Sequence, residues 1–133
     1  MIQRIIPGLA DMADDPHRFL PLRPVEFLVL LALANEPRHG YALTQDIAER
    51  TDGDVQLEPG NLYKILRRLE ADGLIETRGR HPVAELASER RRYYALTPFG
   101  ARVAMLEARR LRKLLASRAA RDIGRLARGA EGS

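Results

Sequence analysis

The segment from Pro59 to Gly73 constrains the fold more than any other part of this chain. Its apolar residues have the i, i+3, i+4 and i+7 spacing of one helix face: Leu62, Ile65, Leu66 and Leu69. Proline fits the first turn of a helix, and glycine fits the position just after the last turn. The segment therefore predicts an amphipathic helix, with one face in the core and the other free for solvent or a partner.

The elements around this helix follow a defined order. Two helices precede it, at Pro24 to Asn35 and Gly40 to Arg50, and the first is apolar on nearly every side, as a central core helix would be. Two strands at residues 74–78 and 91–96 follow and form a hairpin. The Thr97-Pro98 start signal then opens a helix that runs to about Leu126. The predicted fold is mainly α with a small β-hairpin, a winged helix-turn-helix followed by a long C-terminal dimerisation helix.

Basic charge is concentrated after residue 60. Residues 1–60 carry 5 basic and 10 acidic side chains, whereas residues 61–133 carry 17 basic and 8 acidic ones. Twenty of the 22 basic residues are arginine, whose guanidinium group matches phosphate and guanine edges. A GC-rich genome also favours arginine, but it does not explain the segregation along the chain. The charge distribution favours a polyanionic partner, either nucleic acid or an anionic membrane surface.

The composition excludes several classes of protein. The absence of cysteine excludes a disulfide framework and a thiolate zinc site, and the three histidines are too far apart to form a metal motif. The longest apolar run, Phe27 to Ala34, is far shorter than the ~20 residues that span a bilayer. No signal peptide, nucleophile–base pair or phosphate loop is visible. We therefore expect a cytoplasmic protein that is not an enzyme and that has no cofactor and no membrane partner.

The helix that begins at Pro59 presents cations on the side away from its apolar face. On a helical wheel, Lys64 and Arg67 lie near the centre of the outward face, and no acidic residue lies there. A helix that needs only to be soluble usually mixes both signs, so this face favours nucleic acid over plain solvent. Backbone N–H groups at the helix start add a phosphate contact. The DNA contacts predicted on this helix are Gly60, Asn61, Tyr63, Lys64, Arg67 and Arg68.

Further DNA contacts are predicted in the wing and at the start of the second helix. A cationic wing grips phosphates or inserts arginine into a narrow minor groove, although charges on an edge strand also keep a protein soluble. The predicted wing contacts are Arg78, Arg80, Arg90 and Arg91. His39 and Tyr41 are candidates for phosphate contact, but a histidine at this position is more often a helix cap, and such a tyrosine is more often in the core.

The last helix carries an apolar seam with a spacing of three or four residues. A helix about 30 residues long cannot bury such a seam on a small winged core alone, so we predict that it packs against its two-fold mate. The alternative is packing within one chain, against the first helix and the N-terminal arm. The predicted dimer contacts are Val103, Leu106, Leu111, Leu114, Leu115 and Ile123. Two recognition helices would then lie about one DNA turn apart and require a palindromic site.

Four segments follow from these assignments. Residues 1–23 form an N-terminal arm, residues 24–96 the winged helix-turn-helix DNA-binding domain, residues 97–128 the C-terminal dimerisation helix and residues 129–133 a tail. The element order alone leaves a second function open, a winged-helix module for protein or RNA interaction without operator specificity. Such a module does not need a cationic third helix.

Three segments resemble the PadR-like family of transcriptional regulators. They are the first helix with its Pro37-Arg38-His39-Gly40-Tyr41 turn, the stretch from Leu57 to Ile75, and the stretch from Arg90 to Gly100. They occur in the order and spacing of the family and cover about residues 24–115. Glu58 departs from the pattern, because the family usually has serine or threonine there, and glutamate is a poor N-cap.

The resemblance implies a function and a set of site residues. It implies a homodimeric, ligand-responsive repressor that binds inverted-repeat operators and responds to a small hydrophobic or aromatic effector. Tyr63, Lys64 and Arg67 fall at positions where the family reads DNA. The side from Arg90 to Arg92 falls on its wing.

Overall fold

The computed structural model describes residues 15–80 and 92–132. A 3₁₀ turn at Pro16–Phe19 comes first. The longer elements follow in the order α1 Pro24–Ala32, β1 Arg38–His39, α2 Gly40–Arg50, α3 Pro59–Ala71, β2 Ile75–Arg80, β3 Arg92–Leu96, α4 Pro98–Leu115 and α5 Arg118–Gly132. This order confirms the predicted fold class. The first helix is shorter than predicted, because the chain turns at Leu33 and Ala34 instead of continuing to Asn35.

The core lies between α1, α2, α3 and the first half of α4. Fully buried side chains come from all four helices: Val29, Leu30, Leu43, Ile47, Leu62, Leu66, Leu69 and Val103. Each buried side chain of this size contributes roughly 1.5–3 kcal/mol relative to exposure. Since α3 supplies three of the eight, its rotation about its own axis is fixed, and its opposite face must point outward.

The end of α3 is tied to the start of α4. Gly73 has a φ of +79°, and the Leu74 N–H donates to the Leu69 carbonyl at 2.9 Å, which is the Schellman arrangement that a C-terminal glycine allows. The Thr97 hydroxyl donates to the Gly73 carbonyl at 2.7 Å and accepts from the Gly100 N–H at 2.9 Å. These bonds confirm the predicted glycine cap and the predicted Thr97 N-cap.

The predicted hairpin belongs to a three-stranded antiparallel sheet in the order β1-β3-β2. In β1, Arg38 and His39 pair with Tyr94 and Tyr93 of β3. A two-residue strand has no alternating pattern that a sequence could reveal, which explains why β1 was not predicted. The β2–β3 register shifts between Thr77 and Arg80, so the pairing of these two strands is irregular there.

The prediction of one continuous C-terminal helix is wrong. The chain breaks at Ala116 and Ser117, and two side chains satisfy the exposed backbone groups there. The Ser117 hydroxyl accepts the Ala120 N–H at 3.2 Å, so it caps α5, and the Arg121 guanidinium donates to the Ala116 carbonyl at 2.8 Å. The apolar spacing continues across the break, so periodicity alone could not reveal it.

Part of the predicted N-terminal arm packs along α4. The Phe19 ring meets the Phe99 ring edge-on, with 5.7 Å between centroids. The buried Leu22 donates its N–H to the Glu107 carboxylate at 3.2 Å. Residues 15–23 are therefore docked on the domain, as the intramolecular alternative proposed, while residues 1–14 lie outside the described part of the chain.

Val103 was predicted to be a dimer contact, and this prediction is wrong. Its side chain is fully buried in the core of its own chain, so no second copy can contact it. The seam read from the sequence is thus divided between two surroundings. Its first part faces the core, and its later part faces outward.

Candidate nucleic-acid interface

The outward face of α3 carries exposed cations on a rigid support. Lys64 and Arg67 are exposed, whereas Leu62 and Leu66 on the opposite face are each 1% exposed. Within residues 15–80 and 92–132, neither Lys64 nor Arg67 takes part in an ion pair. Because the buried leucines fix the orientation of α3, Lys64 and Arg67 present two positive charges on a defined surface, without ionic partners among the described residues.

The first turn of α3 is open to a ligand. Glu58 occupies the N-cap position without a capping hydrogen bond from its side chain in the described part of the chain, as expected for glutamate. Pro59 has no N–H, and Gly60 and Asn61 behind it are both exposed. The positive end of the helix dipole at this turn favours a phosphate oxygen.

Tyr63 joins α3 to the start of α2. Its half-buried ring lies so close to Gly40 that a methyl group at Gly40 would come within 2.5 Å of the Tyr63 hydroxyl oxygen. The absence of a side chain at Gly40 therefore leaves room for the Tyr63 hydroxyl beside the backbone of α2. The contact fixes Tyr63 beside the outward face of α3, where its sequence position predicted it.

Tyr41 projects from the first turn of α2 beside Tyr63. It is 65% exposed, so the interpretation as a core residue is wrong. Its hydroxyl accepts a hydrogen bond from the Gln45 amide at 3.2 Å. A shallow, mainly apolar cleft of about 140 Å³ separates Tyr41 from the start of α3. An exposed phenol beside the outward face of α3 can donate a hydrogen bond to a phosphate oxygen.

His39 is a helix cap, as the more common interpretation predicted. Its Nδ1 accepts the Ala42 N–H at 3.3 Å, and its ring lies edge-on to Tyr93 with 5.6 Å between centroids. The residue therefore connects the start of α2 to β3. Its position orders the turn that presents Tyr41.

The structure describes the side chains of two of the remaining predicted arginines. The Arg68 guanidinium pairs with Glu26 at 3.3 Å, and that of Arg78 pairs with Glu76 at 3.0 Å. The Arg78–Glu76 pair is exposed on both sides and contributes about 0–1 kcal/mol, so Arg78 can turn to a phosphate at small cost, whereas the half-buried Glu26 holds Arg68 in place. Arg80 belongs to β2, but its side chain lies outside the described part, as do Arg90 and Arg91 entirely.

A second surface of interest lies on α4 and α5. Leu114, Leu115 and Ile123 are 53%, 74% and 67% exposed, while Leu106 and Leu111 are half-buried. Large apolar side chains exposed together typically mark an interaction surface. Five of the six predicted dimer contacts therefore remain accessible, at least in part, in a single chain.

The described residues lack two other kinds of site. They contain no group of three or more histidine, cysteine, aspartate or glutamate side chains that could hold a metal ion. None of their helices combines the length and the apolarity that crossing a membrane requires.

A helix-turn-helix with a cationic second helix, followed by a small sheet and a further helix, defines the winged helix-turn-helix class of transcriptional regulators. Residues 29–105 match the sequence model described as "Transcriptional regulator PadR-like family". The chain belongs to this family. The match includes all of α2, α3 and the sheet.

The chain is similar to several known proteins. It is 37% identical over 92 residues to "Transcriptional regulator Rv3488" of Mycobacterium tuberculosis, covering 69% of this chain and 78% of that protein. It is 40% identical over 89 residues to an uncharacterized 37.1 kDa protein in transposon TN4556 of Streptomyces fradiae, which covers 67% of this chain but 23% of that longer protein. The fold is similar to that of Bacillus subtilis PadR in complex with operator DNA, with a TM-score of 0.54 and 22% identity over 64% of this chain and 46% of that one.

Proposed function

We propose that this chain regulates transcription by binding double-stranded DNA with sequence preference, as a homodimer on an inverted-repeat operator. The observation that carries the proposal is the outward face of α3, where Lys64 and Arg67 stand exposed and opposite three buried leucines. A major groove about 12 Å wide accepts one helix, and arginine or lysine can bond the O6 and N7 atoms of guanine there.

The surroundings of α3 suit the contacts that position such a helix. The exposed Tyr41 and the open first turn of α3 offer donors to the phosphate backbone. Arg78 on β2 supplies the wing with positive charge, and Arg80, Arg90 and Arg91 remain wing contacts predicted from the sequence. In this proposal α3 reads bases, while α2 and the wing fix its register on the duplex.

The exposed apolar residues of α4 and α5 support the homodimer. A face with Leu115 and Ile123 each about two-thirds exposed or more is costly to leave in water. Covering it with a second copy gives a two-fold axis and two recognition helices spaced about one helical turn of DNA, roughly 34 Å. Residues 24–96 then serve as the DNA-binding domain and residues 97–128, in two helices, as the dimerisation segment.

Membership in the family supports the finer part of the proposal, repression that a small hydrophobic or aromatic effector relieves. A ligand that binds the free dimer better than the DNA-bound dimer lowers operator occupancy by that difference in affinity. Titrating aromatic compounds into a preformed complex with DNA, followed by fluorescence anisotropy, tests this part. Release of DNA at saturating compound supports it, and no release by any member of a broad panel contradicts it.

Selection of bound duplexes from a random pool tests the central proposal. We expect enrichment of one palindromic sequence, with half-sites centred about 10 base pairs apart. The Arg67→Ala variant should enrich weakly, whereas Arg50→Ala, which removes an exposed arginine paired with Asp46 at the far end of α2, should enrich as the parent does. A pool without any enriched motif, or an equal preference for RNA, would contradict the proposal.

A further inference from the structure

A second cationic site lies beside α3, on the side away from α2. It is a cleft of about 340 Å³ between the start of α1 and the outer side of α3, lined by Arg23, Val25, Glu26, Lys64, Ile65 and Arg68. Three of these side chains are cationic and one is acidic. The cleft therefore has a net positive charge next to the proposed DNA-reading face.

The single acidic side chain of the cleft is already engaged. One oxygen of Glu26 accepts the Arg23 backbone N–H at 3.3 Å, and the other accepts from the Arg68 guanidinium at 3.3 Å. The Glu26 side chain is only 12% exposed, while that of Arg68 is 50% exposed. Since a guanidinium has five N–H donors, Arg68 can bond a second oxyanion while Glu26 holds it in place.

The cleft and α2 lie on opposite flanks of the same helix face. At 100° per residue, Arg68 lies about 40° to one side of Lys64, and Tyr63 lies about 100° to the other. Tyr63 contacts Gly40 of α2, whereas Arg68 contacts Glu26 of α1. A helix in the major groove has one phosphate backbone on each side. The α2 side therefore faces one DNA strand, and the cleft faces the other.

We propose that Arg23 and Arg68 of this cleft bind a backbone phosphate of the operator strand opposite the strand that α2 contacts. This inference rests on the proposed DNA-binding function and adds a contact to it. Arg23 and Glu26 precede residue 29, where the family match begins, so the match assigns them no role. The cleft extends the interface from α2, α3 and the wing to the start of α1.

The salt dependence of binding by Arg23→Ala tests the inference. The variant keeps the backbone N–H that caps α1, so it should fold as the parent does, which circular dichroism can check. The slope of log K against log salt should fall by about 0.9, the value for one lost phosphate contact. Affinity at 50–100 mM salt should fall roughly tenfold for the operator and for a scrambled duplex alike, because a phosphate contact carries no base preference.

Arg50→Ala is the matched control, because it removes the same charge from the far end of α2. It should leave the slope unchanged. An unchanged slope in Arg23→Ala, or an equal change in Arg50→Ala, overturns the inference. If the parent chain discriminates operator from scrambled duplex but Arg23→Ala leaves the salt slope unchanged, the cleft inference alone fails. If the parent chain does not discriminate, the proposed function fails as well.

Single neutral methylphosphonate groups in the operator locate the contact. At one position, the methylphosphonate should lower the affinity of the parent but leave the affinity of Arg23→Ala unchanged. At a second position, on the other strand, the same should hold for Tyr41→Ala. Pairing of both variants with the same strand overturns the inference. Sodium phosphate at the ionic strength of the chloride series, read together with the methylphosphonate series, separates the two sources of phosphate. If phosphate weakens DNA binding beyond the chloride effect, Arg23→Ala abolishes this extra weakening, and no methylphosphonate position depends on Arg23, the cleft is a free-anion site and the inference is overturned.

Discussion

At the scale of single residues, the absence of a side chain at Gly40 matters for the candidate site as much as the charged residues do. Gly40 lets α2 approach α3 until the Tyr63 ring lies against its backbone, and this contact sets where Tyr41 and Tyr63 stand relative to Lys64. The charged residues at the surface depend on that packing. A phosphate contact that is misplaced by an ångström is lost, so we expect the glycine to matter for binding as well as for folding.

Gly40→Ala should destabilise the fold by about 1–3 kcal/mol, the usual cost of inserting a methyl group into a packed site. The cause is the contact with the Tyr63 hydroxyl, so Tyr63→Phe should restore part of the loss. Urea unfolding of the parent, both single variants and the double variant measures the coupling between the two sites. Additive effects of the two substitutions would show that the contact does not limit the approach of the helices.

At the scale of elements, the end of the N-terminal segment is held to α4 by a buried carboxylate. Glu107 is 2% exposed, accepts the Leu22 N–H at 3.2 Å and pairs with Arg110 at 2.6 Å. The Arg110 hydrogen bond lowers the pKa of Glu107, and the Leu22 N–H adds to this effect, while burial acts in the opposite direction. Glutamate is thus charged in the folded state over the whole neutral range.

The lowered pKa of Glu107 predicts how stability depends on pH. Because the folded pKa lies below the unfolded value, the stabilisation is fully present above about pH 4.3 and is lost as the pH falls through the folded pKa. Glu107→Gln should lower the free energy of unfolding at pH 7 by about 1–3 kcal/mol and flatten its decline in acid. Urea unfolding between pH 3 and 7 checks this. A parallel decline in parent and variant would contradict the assignment.

The elements also show what the sequence could and could not predict. Helices with strong local signals were predicted correctly. α3 begins at Pro59 as predicted, and the Gly73 end of α3 and the Thr97 cap of α4 each have their hydrogen-bond partner in the structure. The break at Ser117 and the strand at Arg38–His39 were missed, because the first interrupts no apolar period and the second is too short to have one. The Lys64 and Arg67 face followed from periodicity alone.

Tyr41 and Val103 were misjudged for a common reason. Apolar character indicates that a residue prefers burial, but it does not say which surface covers it. Tyr41 is exposed beside α3, whereas Val103 is buried in its own chain and not available to a second copy. The cleft at Arg23 was not foreseen either, since it depends on α1 and α3 coming together across 42 residues. Only tertiary packing decides such questions.

At the scale of the whole molecule, the charge segregation and the exposed apolar face describe one assembly. In the homodimer that we propose, the second copy would cover the apolar face of α4 and α5, and the two cationic faces of α3 would then lie on one side of the dimer. The segregation of basic charge after residue 60 suits this arrangement, since α3 and the wing both follow that point. Long-range attraction to DNA would rise with the second copy and fall with added salt.

Leu115→Glu should convert the dimer to monomers, because Leu115 is 74% exposed in one chain and would place a charge in an apolar interface. Sedimentation velocity at micromolar concentration measures the change. Arg109→Glu is the control, since Arg109 is exposed and lies about 160° around α4 from Leu111 and about 120° from Leu115, and it should remain dimeric. A dimer that survives Leu115→Glu would place the interface elsewhere.

The ratio of operator affinity to scrambled-duplex affinity, measured by anisotropy at one salt concentration, tests the central claim most directly. A specific regulator should show a ratio of about 10³ or more. Arg67→Ala should lower operator affinity by about 1–3 kcal/mol and leave binding to the scrambled duplex much less affected, because a base contact carries sequence information. Equal losses on both duplexes, or an unchanged ratio, would contradict the claim that the outward face of α3 reads DNA.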